Sequence, residues 1–282
     1  MLSSIINSFL FPRKKVHLQR LHQKIKGKTI LITGASFGIG ECTAHLLAMP
    51  EVHLVLVART QEKLESLKNI LETTKAKISI FVADLYKEND VDEFIRFLTQ
   101  EIKEIDIVIH NAGKSIRRSI WDSLDRYHDF TRTNSINYLA PVKITLALLP
   151  ILQKQNGHII NISALNILLP PAPYWSAYQA SKSAFDQWLR CILAELHFKN
   201  IATTVLYLPL VKTRMIEPTV AYKNAPAMMP EQVAQLIGKA IVQKNRKFVP
   251  WWGYIPLVLG IWFRSFWEYI TIWYIRRKKR IV

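Results

Sequence analysis

A tyrosine and a lysine stand four residues apart in the stretch Ser176-Ala-Tyr-Gln-Ala-Ser-Lys182, whose composition is typical of a helix. Residues at i and i+4 share one face of a helix, so Tyr178 and Lys182 should lie side by side. An ammonium beside a phenol favours the phenolate, and the pattern therefore predicts that Lys182 lowers the pKa of Tyr178 from its usual value of about 10. A phenol that can exchange a proton is suited to the reduction of a carbonyl group.

Two further motifs lie upstream, each directly after an apolar run. In Thr33-Gly-Ala-Ser-Phe-Gly-Ile-Gly40, glycines stand where a strand turns into a helix, so the backbone can approach a phosphate at the positive end of that helix. The second motif is Asn111-Ala-Gly113. Tyr-x-x-x-Lys alone also fits a packed tyrosine and a solvated lysine on an amphipathic helix. The three motifs in this order resemble the short-chain dehydrogenase/reductase family across about residues 26–245.

Apolar runs alternate with helical patterns between Lys28 and Pro250. This alternation predicts an α/β protein, a doubly wound Rossmann fold with a seven-stranded parallel sheet. The predicted strands are 29–33, 52–58, 78–82, 106–110, 157–162, 202–208 and 246–249. The predicted helices are 39–48, 61–73, 88–101, 122–150, 176–197 and 231–243.

The family resemblance implies a nicotinamide cofactor. Where a protein that prefers NAD would present an acid to the ribose, after the second strand, this chain has Arg59, which can pair with a 2′-phosphate and so favours NADP(H). Leu210 replaces the glycine that the family carries before the residues near the nicotinamide. The residues that the resemblance assigns to the cofactor are Gly34, Ser36, Phe37, Gly38, Ile39, Gly40, Arg59, Asp84, Leu85, Asn111, Ala112, Gly113, Tyr178, Lys182, Val211 and Thr213.

The resemblance also assigns catalytic roles. Tyr178 would donate the proton, Lys182 would hold the nicotinamide ribose, and Asn137 would hold a relay water at a helix kink. A serine that orients the carbonyl completes the family's set. Ser163 lies farther from Tyr178 than the family's serine does, so either Ser163 takes this role or Ala164 occupies the catalytic position.

Charge and aromatic residues are concentrated at the two ends of the chain. The formal net charge is +17, of which residues 1–40 and 250–282 together supply twelve, and five of the eight tryptophans follow residue 250. The remaining body is too weakly charged to suggest nucleic-acid binding, whereas basic ends suit an anionic membrane surface. We expect an apolar and basic N-terminal segment (1–25), an NADP-binding Rossmann catalytic domain (26–249) and a membrane-associating C-terminal segment (250–282).

The aromatic C-terminal segment is long enough to span a bilayer, but Arg264 and Glu268 interrupt it. We therefore expect an aromatic helix, or a pair broken at Pro256, lying in the interface with the basic run 276–280 on anionic headgroups. Closure of a substrate channel or of a dimer interface is the alternative. The apolar run 1–11, followed by Pro12 and the basic residues 13–15, is either a second surface anchor or a disordered tail.

Three functions are compatible with these residues. The first is NADPH-dependent reduction of a long-chain fatty acyl-CoA or fatty aldehyde, because the stretches 111–119, 125–133 and 207–219 look like those of the bacterial aldehyde-forming fatty acyl-CoA reductases. In this reading Arg117 and Arg118 receive CoA phosphates, although a solvated basic loop is the alternative. The second is reduction of a ketone on another lipid, such as a steroid or a 3-oxoacyl chain, and the third is NADPH binding with weak catalysis.

The predicted location is the cytoplasmic face of a membrane, through peripheral binding or a single C-terminal anchor. Family analogy implies a homodimer or homotetramer. The histidines and the two cysteines show no ligand spacing, so the sequence predicts no metal site and no disulfide framework.

Overall fold

A seven-stranded parallel sheet lies at the centre of the fold, as the alternating pattern predicted. The computed structural model describes residues 7, 9–12, 15–217, 219, 222 and 224–279. The strands are β1 Thr29–Thr33, β2 His53–Ala58, β3 Lys77–Val82, β4 Ile107–His110, β5 His158–Ala164, β6 Ala202–Leu208 and β7 Lys247–Phe248. Their order is β3-β2-β1-β4-β5-β6-β7, and the winding reverses between β1 and β4. Doubly wound sheets bind their ligands at this reversal.

Helices cover both faces of the sheet. They are α1 Leu18–Ile25, α2 Gly38–Leu47, α3 Gln61–Glu72, α4 Glu88–Arg96, α5 Tyr127–Asn134, α6 Ala140–Lys154, α7 Ser176–Cys191, α8 Leu193–Phe198, α9 Pro230–Gln243, α10 Tyr254–Trp262 and α11 Arg264–Lys279. Two π-helical segments, Phe97–Ile102 and Ser135–Leu139, extend α4 and join α5 to α6.

Each face of the sheet carries its own apolar core. Ile30 and Ile32 of β1 pack on the face covered by α2 and α9, while Leu31 packs on the face covered by α6 and α7. Successive side chains of a strand point to opposite faces, so a strand covered on both sides must be apolar almost throughout. This requirement explains why the strands were visible in the sequence as short unbroken apolar runs.

Two of the predicted helices are divided in the structure. The predicted helix 122–150 begins with the 3-10 turn Trp121–Ser123 and continues through α5, the π-helical segment and α6 to Lys154. The predicted helix 176–197 ends at Cys191 and resumes as α8. Because helical periodicity survives a local change in hydrogen bonding, neither break was visible in the residue pattern.

The described part of the N-terminal segment packs into the catalytic domain. Leu21 and Ile25 of α1 are fully buried, and Phe11 lies in the same core as α9. The backbone N–H of Val16 donates to Gln235 Oε1 of α9 at 2.8 Å. The structure therefore joins residues 11, 12 and 15–25 to the domain that was expected to begin at residue 26. The remainder of the predicted anchor, residues 1–6, 8, 13 and 14, lies outside the described residues.

The C-terminal segment forms two helices whose break differs from the expected one. Pro256 lies in the first turn of α10, where a proline is tolerated, and the chain instead breaks at Phe263. One face of α10 is exposed and apolar, consisting of Tyr254, Ile255, Val258, Leu259 and Trp262. Gly260 lies against Pro170, so closely that an added Cβ would meet the proline ring at 2.7 Å. Arg280 of the basic run lies outside the described residues.

The two chain ends meet each other. The indole Nε1 of Trp252 donates to the carbonyl of Leu10 at 3.3 Å, and the ring of Trp252 packs edge-on to Phe11. Phe9 contacts Trp251 in the same way, with ring centroids 5.1 Å apart. The apolar residues of both ends therefore lie on one side of the domain.

One helical stretch among the described residues, 127–154, has the length and hydropathy of a membrane span. It consists of α5, the π-helical segment and α6, and its residues Ile144, Leu148 and Leu152 are fully buried against the sheet. This stretch therefore serves as a core helix of the domain.

Two buried histidines make the fold sensitive to acid. His110 of β4 shares a hydrogen bond with Thr145 Oγ1, and His158 of β5 shares one with Thr204 Oγ1, each at 2.8 Å. Burial lowers the pKa of both imidazoles from 6.5 to about 3, and a nearby lysine adds to each shift. Since the folded-state pKa lies below the unfolded one, the stabilising difference is complete above about pH 6.5 and is lost as pH falls toward 3.

We predict that the free energy of unfolding falls between pH 7 and pH 5 by about 2 kcal/mol for each of these two histidines. Urea denaturation at the two pH values measures the fall. His158→Gln keeps a hydrogen-bonding side chain but does not titrate, so its fall should be smaller by about 2 kcal/mol. An equal fall in the variant and the unsubstituted protein would contradict the assignment to His158.

Candidate active site

The predicted site residues converge at the carboxyl ends of the strands. The glycine turn follows β1, Arg59 follows β2, Asp84 and Leu85 follow β3, and Asn111 to Gly113 follow β4. Ser163 lies near the end of β5, Val211 and Thr213 follow β6, and Tyr178 and Lys182 lie in the first turns of α7. Parallel strands bring all these ends to one edge of the sheet, so residues far apart in sequence share one cleft.

Two glycines of the turn from β1 into α2 lie so close to neighbouring atoms that a side chain would not fit. A Cβ on Gly40 would overlap the carbonyl oxygen of Gly34, and one on Gly38, whose φ is +57°, would lie 3.0 Å from Thr213 Cγ2. Ser36, Phe37 and Ile39 occupy the same turn and the start of α2. The first N–H groups of α2 therefore border this turn, where the helix dipole favours an anion.

Asn111 and Thr33 fasten β4 to β1 at the reversal of the sheet. The side-chain amide of Asn111 donates to the carbonyls of Thr33 (2.9 Å) and Gly34 (3.0 Å). The backbone N–H groups of Asn111 and Ala112 both donate to Thr33 Oγ1 at 3.0 Å. The residue pattern indicated a role for Asn111 at this turn but none for Thr33, although the threonine opens the glycine motif.

Arg59 directly follows β2, at the position where the sequence predicts recognition of a ribose 2′-phosphate. Its guanidinium Nη1 is 3.9 Å from Asp84 Oδ2, and the arginine side chain is 56% exposed. The other oxygen of Asp84 accepts from the backbone N–H of Tyr86 at 3.3 Å, and the N–H of Asp84 itself donates to Asp90. A weakly held, exposed guanidinium can turn toward an incoming phosphate.

Asn137 lies in the π-helical segment between α5 and α6, at the position where the family resemblance implied a helix kink. Its side-chain amide is buried and donates to the carbonyl of Lys114 and to Ser181 Oγ, each at 2.9 Å. Its Oδ1 accepts from the N–H of Lys114 at 2.9 Å. Both amide N–H groups therefore bond to protein atoms, and the side chain fixes the segment that follows Gly113.

Lys182 is buried beside this segment. Its Nζ donates to the carbonyl of Ile162 in β5 at 3.0 Å. A Cβ on Gly113 would lie 3.4 Å from Lys182 Nζ and 3.2 Å from Asn137 Oδ1, so these three residues adjoin. Burial lowers the pKa of Lys182 from 10.5 to about 8, and most of the lysine is still an ammonium at neutral pH.

Tyr178 does not titrate as the residue pattern predicted. Burial raises the pKa of Tyr178 from 10.0 to about 12, and the neighbouring Tyr222 adds to the rise. The prediction that Lys182 lowers this pKa is wrong for the structure, because desolvation of the phenolate outweighs attraction to an ammonium that donates to Ile162 instead. The phenol therefore keeps its proton at neutral pH.

Ser163 and Ala164 take opposite faces of β5. Ser163 pairs in register with Tyr207, whose hydroxyl donates to Asp186 of α7 at 2.7 Å, so the serine lies on the face covered by the helix that carries Tyr178. Its Oγ is buried and has no hydrogen-bond partner among the described residues. Ala164 is partly exposed and, by alternation, points to the other face.

Aromatic residues that the sequence pattern did not indicate form a wall beside Tyr178. The ring of Trp175 lies 5.8 Å from that of Tyr178 and stacks on Tyr222 at 5.9 Å. The guanidinium of Arg117 lies 5.0 Å from the ring of Tyr174. Only the adjacency of Tyr174 and Trp175 to the Tyr-x-x-x-Lys motif could have indicated this wall, since Arg117 and Tyr222 come from distant segments.

The loop before α7 is fixed by the residue that follows Tyr178. The amide of Gln179 donates to the carbonyl of Asn166 at 2.7 Å and accepts from the N–H of Ala172 at 3.1 Å. Pro170, in the middle of this loop, contacts Gly260 of α10. Helix α7, the loop 165–173 and α10 therefore form a continuous series of contacts.

The segment after β6 closes over the glycine turn. Val211 is buried and forms a parallel bridge with Met228, so its side chain serves the core rather than an open site. Thr213 lies beside Gly38, and the guanidinium of Arg214 lies 4.4 Å from the ring of Phe37. Among the described residues, no three His, Cys, Asp or Glu side chains converge in an arrangement that could hold a metal ion.

Known proteins resemble this chain in sequence and in fold. The chain is 44% identical over 226 residues to a fatty acyl-CoA reductase of Acinetobacter baylyi, covering 80% of this chain and 76% of that protein. It is 36% identical over 227 residues to a fatty acyl-CoA reductase of Mycobacterium tuberculosis, covering 80% and 77%. A short-chain dehydrogenase from Sphingobium yanoikuyae, solved in complex with NADPH, has the same fold, with a TM-score of 0.71 at 23% identity over 79% of this chain and 87% of that one.

The family assignment follows from these findings together. The sheet reverses at a glycine turn, and a tyrosine and a lysine on the adjoining helix lie within one cleft. The family model described as short chain dehydrogenase matches residues 28–224, which include every one of these features. The chain belongs to the short chain dehydrogenase family of oxidoreductases.

Proposed function

We propose that this protein uses NADPH to reduce the carbonyl group of a lipid, a long-chain fatty acyl-CoA or fatty aldehyde. The observation that carries the proposal is the position of Tyr178 and Lys182 on one face of α7, beside the strand ends that bear the glycine turn and Arg59. The similarity to two fatty acyl-CoA reductases supports the choice of substrate.

The cofactor is NADP(H), and the residues present fit it. The glycine turn offers backbone N–H groups to a pyrophosphate, and Arg59 offers its guanidinium to the 2′-phosphate. Asp84 and Leu85 would border the adenine, and Lys182 would hold the nicotinamide ribose. When bound, NADPH supplies the hydride.

Tyr178 acts as the proton donor in this proposal. Reduction of a thioester consumes one hydride at the carbonyl carbon and one proton, releases CoA as its thiol and leaves an aldehyde. A phenol whose pKa is about 12 is fully protonated at neutral pH, which is the state that a donor requires. Asn137 contributes by fixing the backbone at Lys114, beside Lys182, and so acts as a positioning residue.

Ser163 is our candidate for the carbonyl-orienting hydroxyl. Its Oγ lies under α7 and has no hydrogen-bond partner among the described residues, and a buried unpaired hydroxyl indicates a functional demand. Loss of one hydrogen bond to a developing oxyanion costs a rate factor of about 10² or more. Ala164, which lacks a donor, would leave this role to water.

The acyl chain is expected to lie along the loop 165–173 toward α10. Leu168 and Leu169 are partly buried apolar residues of this loop, and Pro170 joins it to α10. The exposed apolar face of α10 continues outward from this contact. A lipid tail that follows this path leaves the cleft among apolar side chains instead of in water.

The same face is our candidate for docking on an anionic bilayer. Phe9 lies against Trp251, so apolar residues from both ends of the chain contribute to one patch, and Arg276 and Arg277 are exposed at the end of α11. A 16-residue helix is only about 24 Å long, shorter than the hydrocarbon core, which favours binding in the interface over a span. Anionic lipids line the cytoplasmic leaflet, where we place the protein.

We predict that Tyr178→Phe lowers kcat for palmitaldehyde reduction by about a hundredfold or more, because the proton donor is lost. Fluorescence titration should find the NADPH dissociation constant changed by no more than about threefold, since the substitution removes one hydroxyl group. Tyr269→Phe, on the exposed helix α11, is the matched control and should change neither value. Retention of a substantial fraction of kcat in Tyr178→Phe would assign the proton to another donor.

Product analysis with palmitoyl-CoA, palmitaldehyde and a steroid ketone, each with NADPH, tests the substrate class. Formation of aldehyde or alcohol from the palmitoyl substrates supports the proposal. Turnover of the steroid ketone alone would favour the ketone reductase hypothesis.

A pair of substitutions distinguishes the two candidates for the serine position. We predict that Ser163→Ala lowers kcat by about 10² or more, whereas Ala164→Ser changes it little. Steady-state kinetics with saturating NADPH measures both. A rate increase in Ala164→Ser, together with normal activity in Ser163→Ala, would show that position 164 faces the carbonyl.

We predict that Val258→Ser combined with Trp262→Ser reduces sedimentation of the full-length protein with vesicles containing phosphatidylglycerol by about tenfold or more. Each buried apolar side chain contributes about 1.5–3 kcal/mol, so loss of two exceeds a tenfold change in partitioning. Leu124→Ser combined with Phe198→Ser, at two sites elsewhere that are at least as exposed, is the control. Equal sedimentation of both variants would exclude α10 as the docking surface.

A further inference from the structure

The segment that follows β4 carries a surplus of positive charge beside the active site. Residues 114–132 include five lysines and arginines, three aspartates and His128. The segment runs from the residue that Asn137 fixes, Lys114, into the first turns of α5. It therefore borders the cleft on the side of Tyr174 and Trp175, away from the glycine turn.

A single carboxylate in this segment is shared by two guanidinium groups and an imidazole. Asp129 Oδ2 accepts from Arg118 Nε at 2.8 Å and lies 3.6 Å from Arg126 Nε, and Asp129 Oδ1 lies 3.4 Å from His128 Nε2. The short bond to Arg118 commits that arginine to the framework. One carboxylate cannot neutralise both guanidiniums, and Arg126 Nε has no hydrogen-bond partner in the described part of the chain.

Arg117 holds a second charge, closer to the reacting group. Its side chain is exposed and forms no ion pair with a described residue, but its guanidinium packs on the ring of Tyr174 at 5.0 Å. The N–H of Arg118 donates to the carbonyl of Tyr174 at 2.9 Å, which fixes this arrangement. Trp175, the next residue, contacts Tyr178, so the cation lies at the outer edge of the aromatic wall.

Two exposed aromatic rings accompany these arginines. Trp121 is 71% exposed, and Tyr127, the first residue of α5, is 76% exposed. Both follow Arg117 within ten residues of the sequence. A nucleobase stacks on such rings, whereas inorganic phosphate and a simple lipid headgroup gain nothing from them. The combination of unneutralised guanidinium groups and exposed rings fits a ligand that has both phosphates and a base.

We propose that Arg117 and Arg126 bind the phosphate groups of the CoA portion of an acyl-CoA, and that Trp121 or Tyr127 covers its adenine. The inference rests on the proposed function and adds the place where the carrier group is held. Guanidinium groups bind phosphate oxygens bidentately, which suits this role better than lysine would. The thioester then reaches Tyr178 past Trp175, while the acyl chain follows the loop 165–173 toward α10.

The first test compares two substrates that differ only in the carrier. In full-length Arg117→Gln, we expect the ratio of kcat/KM for palmitoyl-CoA to kcat/KM for palmitaldehyde to fall by about tenfold or more, because only the thioester carries phosphates. Arg96→Gln, an equally charge-removing change at an exposed residue of α4, should leave the ratio unchanged. An unchanged ratio in Arg117→Gln, or equal losses on both substrates, would overturn the subsite.

The second test measures binding without turnover. Calorimetric titration of the NADPH-bound, full-length protein with CoA alone measures the dissociation constant of CoA. This constant should rise by about tenfold in each of the single variants Arg117→Gln and Arg126→Gln. Weaker sedimentation with anionic vesicles, with unchanged CoA affinity, would assign the arginines to a lipid surface and overturn the proposal.

The two tests separate failure of the subsite from failure of the function. If the unsubstituted protein reduces palmitaldehyde but not palmitoyl-CoA, the thioester part of the proposed function is wrong. The calorimetric titration then tests the CoA subsite independently of the reaction. If CoA binds and Arg117→Gln weakens its binding, the subsite is supported, and if CoA does not bind, the subsite is wrong.

Discussion

The hydrogen bonds between Asn111 and Thr33 are the constraint on which the rest of the site depends. They join β4 to β1 where the winding of the sheet reverses, and they fix both the glycine turn and the segment that follows β4. That segment passes Gly113 to reach Lys114, which Asn137 fixes in turn. The glycine turn and the segment beside Lys182 are therefore positioned by one small network of side-chain to backbone bonds.

Burial governs the protonation of the two groups on α7. A low-dielectric environment disfavours every charged form, so it moves the pKa of Tyr178 upward and that of Lys182 downward. The pKa of Tyr178 therefore rises although a lysine lies one helical turn away, and the pKa of Lys182 falls. At neutral pH the pair therefore remains a neutral phenol and a largely charged amine, a state suited to delivering a proton to a reduced carbonyl.

Much of the fold could be predicted because the central strands and their turns are local patterns. The strand Thr29–Thr33 matched its apolar run, and the motifs appeared at the expected strand ends. Helix α1 was missed since its sequence is mostly polar and only Leu21 and Ile25 are buried. The pKa of Tyr178 was predicted in the wrong direction because spacing shows which residues are neighbours but not how much water surrounds them. The aromatic wall required tertiary contacts.

The packing of the N-terminal residues on α9 affects how the chain is made. Val16 and Gln235 are separated by 219 residues, so Val16 is synthesised long before the residue that it contacts. At cellular synthesis rates of about 5–20 residues per second, that interval is roughly 10 to 40 seconds. Throughout it, Phe11, Leu21 and Ile25 lack the core that finally buries them. Until α9 has been synthesised, these side chains are accessible to chaperones and to nearby membrane.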